Sequence, residues 1–395
     1  MTPLARSIYS FALSVVIAFM PIEPFATEGA SLKVIWSRVN NTNPNALPFF
    51  IRNVARTDTG ALTLLGSDKQ SQFLFVGPED GGALARLNTK SQVFAIAPSL
   101  QDTFWIGGIK NQRAYVPGGD ISDAYLAKVS SRGHVIFEHS FRSGKWRLIK
   151  SLAATPPGGV VTSGPDGSRT WVAMISQEGK VLWEQWIGIG KDTAVTYFND
   201  QVWVTALEAV VSEDKRTYRE DVTLWRFSAS GNPIHQQVIR AGINDRVSAR
   251  YVRLSMTNSK DALYVTSSWQ EPSRAKPVEI TKLDLNGQIV WQRELPNTRT
   301  QNSNMDAIVC NAGRATLLNG DFLIACPAKD WITLFRLENK TSTPTETSVP
   351  LPDCHTAAVL SLFQKSDGKI WIIGSRMEFF QAANCIWMGE LTLQR

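Results

Sequence analysis

Short runs in which apolar and polar residues alternate dominate the chain, and the clearest is VEITKLDLNGQIVWQREL at residues 278–295. Val278, Ile280 and Leu283 are apolar beside polar neighbours, Asn286-Gly287 tolerates positive φ, and Ile289-Val290-Trp291 resumes an extended run. This pattern predicts a β-hairpin turning at Asn286-Gly287. Close copies surround Gly133 (AYLAKVSSRGHVIFEHS) and Gly179 (TWVAMISQEGKVLWEQW), and a looser one surrounds Gly231 (DVTLWRFSASGNPIHQQ). Between them lie further strand-like runs, among them TFWIGGI, GGVVTSG, QVWVTALEAV, ALYVTSSW and KIWIIGS, separated by Gly, Asp and Asn turns. No long stretch beyond residue 30 keeps a 3.6-residue apolar period, so an all-helical chain is excluded.

Trp36, Phe94, Phe137, Trp183, His235 and Trp291 mark the outer half of successive hairpins, at intervals of 58, 43, 46, 52 and 56 residues. The Ser348–Pro350 region forms a degraded seventh. Each interval holds four short strands with loops, which is the period of a propeller blade. Leu32 to Val39 matches the second half of the hairpin but has no first half before it, while the chain ends on three strand-like runs. Pairing these two ends completes one blade and removes two exposed sheet edges. The expectation is an all-β chain, a single seven-bladed β-propeller over residues 31–395, closed by its N-terminal strand. Six or eight blades, and a linear β-solenoid, remain open at this point.

The segments KLDLNGQIVWQREL, GKVLWEQW and GHVIFEHS resemble the repeats of quinoprotein-like (PQQ-repeat-like) bacterial β-propellers. The resemblance covers residues 31–395 in architecture and is best carried by three units. It implies a scaffold rather than one activity. Some relatives are pyrroloquinoline-quinone dehydrogenases, and others are non-enzymatic envelope proteins, including outer-membrane assembly scaffolds. The dehydrogenases carry vicinal cysteines and acidic metal ligands; this chain has no adjacent Cys pair, so no catalytic residue is carried over. The lipid-bearing Cys of the assembly factors is also missing.

Composition agrees with a folded, turn-rich protein: among 395 residues, 43% are hydrophobic and 19% charged, with 27 Gly, 19 Pro and 13 Trp. The net charge of +6 is spread without a basic block, so nucleic-acid recognition is not indicated. Residues 1–30 stand apart. Arg6 precedes an apolar run from Ile8 to Met20, too short to span a bilayer and suited to a secretory signal. The mature chain is then periplasmic or secreted, without a transmembrane domain. All four cysteines lie in the last quarter, and export makes two disulfides the expectation, Cys310–Cys326 and Cys354–Cys385.

Candidate chemistry is sparse. The turns Asp58-Thr-Gly60, Asp80-Gly81-Gly82, Asp166-Gly167 and Asp367-Gly368 lack the oxygen spacing of an EF-hand and read first as tight turns, with Ca²⁺ on a rim loop left open. No cofactor or metal is assigned. His134, His139, His235 and His355 form no HxH or HExxH motif, and there is no GxSxG elbow. Asp102, Asp192, Asp245 and Asp306, with Arg246, fall near the starts of inner strands and are the candidate ligand-binding groups at a tunnel mouth. Acids facing one another across a sugar there would make a carbohydrate-active hydrolase or lyase. The favoured reading is a non-enzymatic scaffold that binds a protein partner of the envelope or secreted space, using aromatic and Arg side chains on one face. The carbohydrate enzyme and a quinone-dependent oxidoreductase are the alternatives.

Overall fold

The computed structural model describes residues 30–39, 50–67, 72–79, 85–89, 91–110, 122–143, 145–211, 218–244, 251–270, 278–295, 313–327, 331–339, 344–350, 357–376 and 385–393. Every element among them is a β-strand. One four-stranded sheet holds β2 (Phe50–Arg56), β3 (Ala61–Ser67), β4 (Gln72–Pro78) and β5 (Ala85–Thr89), in chain order. The next holds β6 (Gln92–Pro98), β7 (Thr103–Lys110), β8 (Asp123–Ser130) and β9 (Val135–Phe141). A seven-stranded sheet follows. It runs through β10 (Ser151–Ala154), β11 (Val160–Asp166), β12 (Arg169–Ile175), β13 (Val181–Phe198), β14 (Gln201–Val211), β15 (Tyr218–Ser228) and β16 (Pro233–Asn244). Two more four-stranded sheets are β17 (Tyr251–Asn258), β18 (Leu263–Gln270), β19 (Glu279–Leu283), β20 (Ile289–Glu294) and β21 (Arg314–Thr316), β22 (Phe322–Pro327), β23 (Trp331–Leu337), β24 (Pro344–Pro350). The last joins β25 (Ala357–Gln364), β26 (Ile370–Arg376) and β27 (Cys385–Leu393) to β1 (Ala30–Val39).

Closure therefore takes the expected form. β1 pairs antiparallel with β27 from Ala30↔Leu393 to Val39↔Cys385, so the first described strand is the outer strand of the last sheet. Leu62 and Leu64 of β3 then pack with Trp371, Ile373 and Met388 of that sheet, joining the two ends of the ring. Residues 1–29, which hold nearly all of the expected secretory signal, lie outside the described residues.

The expectation of seven separate four-stranded sheets needs correction: the described residues form five, plus the seven-stranded one. The cause is β13. The Gly188, Gly190 and Lys191-Asp192 stretch has a loop-like composition, but β13 stays extended over 18 residues through it, pairing with β12 up to Ile189 and with β14 from Gly190. A register shift between Gly190 and Thr193 marks the changeover. Phe94 is a second correction, because it lies on β6, the first strand of its sheet, and not on an outer strand.

The repeated hairpins also turn differently from the two-residue loop expected. In the organising copy Gly287 N–H donates to Asp284 O at 3.0 Å and Asp284 N–H to Gln288 O at 3.0 Å, so the loop spans three residues. Only Gly287 takes positive φ, +84°, which is the pattern of a turn ending in a bulge glycine. The Asp284 carboxylate accepts from the Asn286 and Gln288 amides, both at 2.8 Å. Ser130 and Ser176 serve the same purpose three residues before Gly133 and Gly179.

These loops pack against the preceding unit. A Cβ on Gly179 would sit 2.1 Å from the Phe137 ring, and one on Gly231 2.6 Å from Trp183. The aromatic at the outer hairpin position thus fills the space that the next turn's glycine leaves open. Deeper in, an aromatic and a cation face each other on neighbouring strands: Trp105↔Lys128, Trp203↔Arg226 and Tyr264↔Lys282. Each cation lies over its ring, and two of them bond the next turn: Arg226 to Asn286 O, and Lys282 to Asn339 O at 2.8 Å.

Candidate functional site

The crossover from β9 to β10 is held by both of its neighbours. Arg147 N–H donates to Ser122 O and Ile149 N–H to Gly108 O, on the sheet behind. Leu148 N–H donates to Pro165 O and Lys150 N–H to Ser163 O, on the sheet ahead. Alternate amides thus stitch the segment between two sheets. Gly164 permits the close approach: a Cβ there would lie 1.9 Å from Leu148 O.

This stitching fixes Arg147 in a cage. Its guanidinium carbon lies 4.9 Å from the Trp171 ring centre and 5.7 Å from that of Trp186. One terminal nitrogen is 2.8 Å from the Asp166 carboxylate and the other 3.8 Å from Glu184. The Trp186 indole N–H donates to the same Asp166 oxygen at 2.7 Å, and the Trp171 N–H to Glu184 at 2.7 Å. Arg147 and Asp166 are both buried, with side chains 9% and 8% exposed. Burial alone would raise the Asp166 carboxyl, but the hydrogen bonds from Arg147 and Trp186 outweigh it and hold the group below its ordinary range. Arg suits this position because its planar fork can stack on rings while bonding carboxylates.

Above the cage the surface is apolar and basic. Trp146 and Trp186 are each 37% exposed and Ile189 is 54% exposed. Arg142, Lys145, Lys150 and Arg169 are exposed around them. Arg169 donates to Trp186 O at 2.5 Å, and Gly167 N–H to Trp146 O at 2.8 Å, so the backbones of both residues are tied to the Asp166-Gly167 turn, and the Trp186 indole also bonds Asp166. The arrangement offers flat, pre-positioned aromatic surface with cations at its margin. Such anchors recur at protein interfaces.

Of the expected tunnel-mouth group, Asp102 and Asp192 lie among the described residues, and these two are not brought together. Asp192 is buried at the changeover within β13, where Lys150 pairs with it and the Leu254 amide donates to it at 2.8 Å. It ties three successive inner strands. Asp102 instead lies in the β6–β7 turn, where Gln101 and Asp102 both take positive φ, +56° and +54°. Two consecutive left-handed residues define the tight hairpin turn, which Asn199-Asp200 repeats. The Asp102 carboxylate accepts from Thr57 Oγ1 at 3.0 Å. Contacts between neighbouring sheets run turn to turn, as Ser99 Oγ to Gly158 O at 3.3 Å, and start to start, as the Leu254 amide near the start of β17 to Asp192 at 2.8 Å. Asp192 at the start of an inner strand and Asp102 past the end of one therefore face opposite sides of the ring. That pair cannot flank one sugar. Asp245, Arg246 and Asp306 lie outside the described residues.

Asp102 does border a cleft of about 470 Å³ with Thr59, Val76, Pro78 and Arg132, between the first two sheets. Gly60, Gly167 and Gly368 of the Asp-Gly segments take positive φ, as tight turns require. Among the described residues no group of three His, Cys, Asp or Glu side chains gathers as metal ligands, and no helix is long and apolar enough to cross a membrane. Cys326, buried on β22, stands in a disulfide; Cys310 and Cys354 lie outside the described residues, and so do both expected pairings.

Trp146 is an aromatic that stands outside the repeated hairpin positions. Arg147, Asp166 and Trp186 were not singled out, because their partnership joins a crossover, a turn and an outer strand.

No known protein family matches the sequence. No curated protein matches it either. Solved structures share its fold. A streptogramin B lyase matches with a TM-score of 0.50 and 12% identity, over 91% of this chain and 97% of that one. BBS1N, solved in complex with ARL6DN, matches with a TM-score of 0.50 and 10% identity, over 92% of this chain and 98% of that one. At these identities the likeness is one of fold. It bears out the propeller resemblance of the repeated hairpins, and the chain is an all-β propeller.

Proposed function

We propose that this chain is an exported, non-enzymatic β-propeller that serves as a protein-interaction scaffold, periplasmic or secreted, with the Trp146–Trp186 corner as its docking surface. The observation that carries the reading is the exposed Trp186 indole, fixed on the Arg147–Asp166 ion pair, with the exposed Trp146 next to Arg147 in sequence. Fixed aromatics lose little freedom on binding, which favours them as anchors. A propeller of the same fold, BBS1N, was solved in complex with another protein, and propeller sheets commonly leave partner choice to their surfaces.

The same proposal takes the ring as seven four-stranded units, with β13 serving two of them, its first half as an outer strand and its second half as an inner one. Support comes from seven apolar clusters, each shared by two successive units, including the one across the chain ends. A density map viewed down the ring axis would overturn the count by showing five or six blades, with β10–β16 forming a single one.

The function is tested by partner capture from the native envelope with the wild-type chain and with Trp146→Ser and Trp186→Ser. The reading expects at least one specific protein to be retained by wild type and lost with both variants, at unchanged circular dichroism. Retention by both variants would overturn the docking surface.

A further inference from the structure

The charges at this corner are sorted by depth. Its acids are bonded, and most are buried: Asp166 to Arg147 and Trp186, Asp192 to Lys150 and the Leu254 amide, Asp123 to Arg142, and the partly exposed Glu184 to the Trp171 indole. Among the described residues its exposed charges are basic: Arg142, with its side chain 84% exposed, Lys145, Lys150 and Arg169. The chain's net charge of +6 is too small to produce such local excess by spreading evenly. Acids drawn inward neutralise the buried guanidinium and leave the outer surface cationic around Trp146, Trp186 and Ile189.

Accepting the corner as the docking surface proposed above, we infer that its occupant is an acidic protein segment carrying an aromatic or branched aliphatic residue. Asp and Glu side chains of the segment meet Arg142, Lys145 and Arg169. Its apolar residue packs on the exposed faces of Trp146, Trp186 and Ile189.

An anionic bilayer shares the charge preference but fits the geometry less well. Trp186 is held by its own N–H bond to Asp166 and by the guanidinium near its ring. An indole tied back in this way is suited to receive a side chain rather than to project into acyl chains as an inserting anchor does. Complementary charge around a packed apolar centre also predicts a binding rate that falls with salt while the apolar contact persists.

The test uses the full chain and fluorescein-labelled twelve-residue peptides of alternating Asp and Glu with one central Phe. Companion peptides replace Phe by Ala or the acids by Lys, and vesicles of phosphatidylglycerol with phosphatidylcholine provide the lipid arm. Binding is read by anisotropy and by sedimentation. The inference expects the acidic Phe peptide to bind, the Ala peptide to bind at least about tenfold more weakly, and the Lys peptide not to bind. Lys145→Glu with Arg169→Glu lowers affinity at least about tenfold, whereas Asp102→Asn on the opposite side changes nothing. Equal binding of acidic and basic peptides, indifference to the charge reversals, or vesicle binding without peptide binding would each overturn it. Capture lost with the Trp variants but kept with Lys145→Glu/Arg169→Glu would refute the acidic partner and leave the scaffold reading standing; capture kept by all variants would refute both.

Discussion

Lys365 holds its ammonium 2.6 Å from the carboxylate of Glu79, a residue 286 positions earlier in the chain. Glu79 also takes the Arg56 guanidinium at 2.5 Å. The two cations rest on aromatic rings of the last sheet, Lys365 on Trp371 at 3.6 Å and Arg56 on Phe363 at 4.9 Å. The network crosses the seam between the first sheet and the last, where the apolar cluster of Leu62, Leu64, Trp371, Ile373 and Met388 also lies.

This seam should be pH-sensitive. Burial alone would raise the Glu79 carboxyl, but hydrogen bonds from Arg56 and Lys365 outweigh it and keep the group below its ordinary value. A carboxyl depressed on folding stabilises fully above its unfolded value, about 4.3, and loses that contribution as pH falls through the folded one. Glu79→Gln should cost about 1–3 kcal/mol at neutral pH and progressively less below about pH 4. Denaturant melts of both proteins at neutral and acid pH measure this, and a gap that widened toward acid would contradict it.

Gly231 has φ of +86° and leaves room for the Trp183 ring. Gly231→Ala therefore meets both a disfavoured backbone and an occupied space. The expected loss is about 1–3 kcal/mol, measured by chemical denaturation, with reduced near-ultraviolet Trp dichroism. A neutral substitution would remove the packing explanation of the Gly–aromatic period.

The Arg147–Asp166 pair is predicted to be strongly coupled. Arg147→Met leaves Asp166 buried without its cation and should cost about 3–5 kcal/mol, while Arg147→Met/Asp166→Asn should recover much of that. Equilibrium unfolding of the two single variants and the double variant supplies the cycle. Additive costs would show that the cage is not a unit.

The proposed Cys310–Cys326 and Cys354–Cys385 bridges are checked by thiol titration of the denatured chain. No thiol should react before reduction and all four should react after it, with reduction costing about 3 kcal/mol per short loop. Peptide mapping that joined Cys326 to Cys354 or Cys385 would contradict the pairing.

Strand alternation made the sheets readable in the sequence, because the apolar face of each hairpin strand is set by its own residues. The orphan run at Leu32 to Val39 announced its partner because it copied an outer strand without the strand that should precede it. What failed was punctuation. Gly188, Gly190, Lys191 and Asp192 resemble a loop in composition, yet pairing first with β12 and then with β14 keeps the chain extended. Asn286-Gly287 resembled a two-residue turn, and the signal for the longer loop was Asp284, whose carboxylate holds two amides. The candidate site was less legible still. Nothing local to Arg147 reveals that Asp166 and Trp186 reach it, since those contacts depend on a crossover wedged between two sheets.

The central structural claim is that the ring is sealed by β1 on β27, where Lys33 stands opposite Glu390. Paired strands hold opposite residues within disulfide reach, so Lys33→Cys/Glu390→Cys should cross-link under mild oxidation. The native cysteines all lie at or beyond Cys310, which makes a peptide linking positions 33 and 390 diagnostic by mass spectrometry. The account predicts that linked peptide in the folded protein and its loss on unfolding before oxidation. A free thiol at position 33 in the folded, oxidised chain would contradict it.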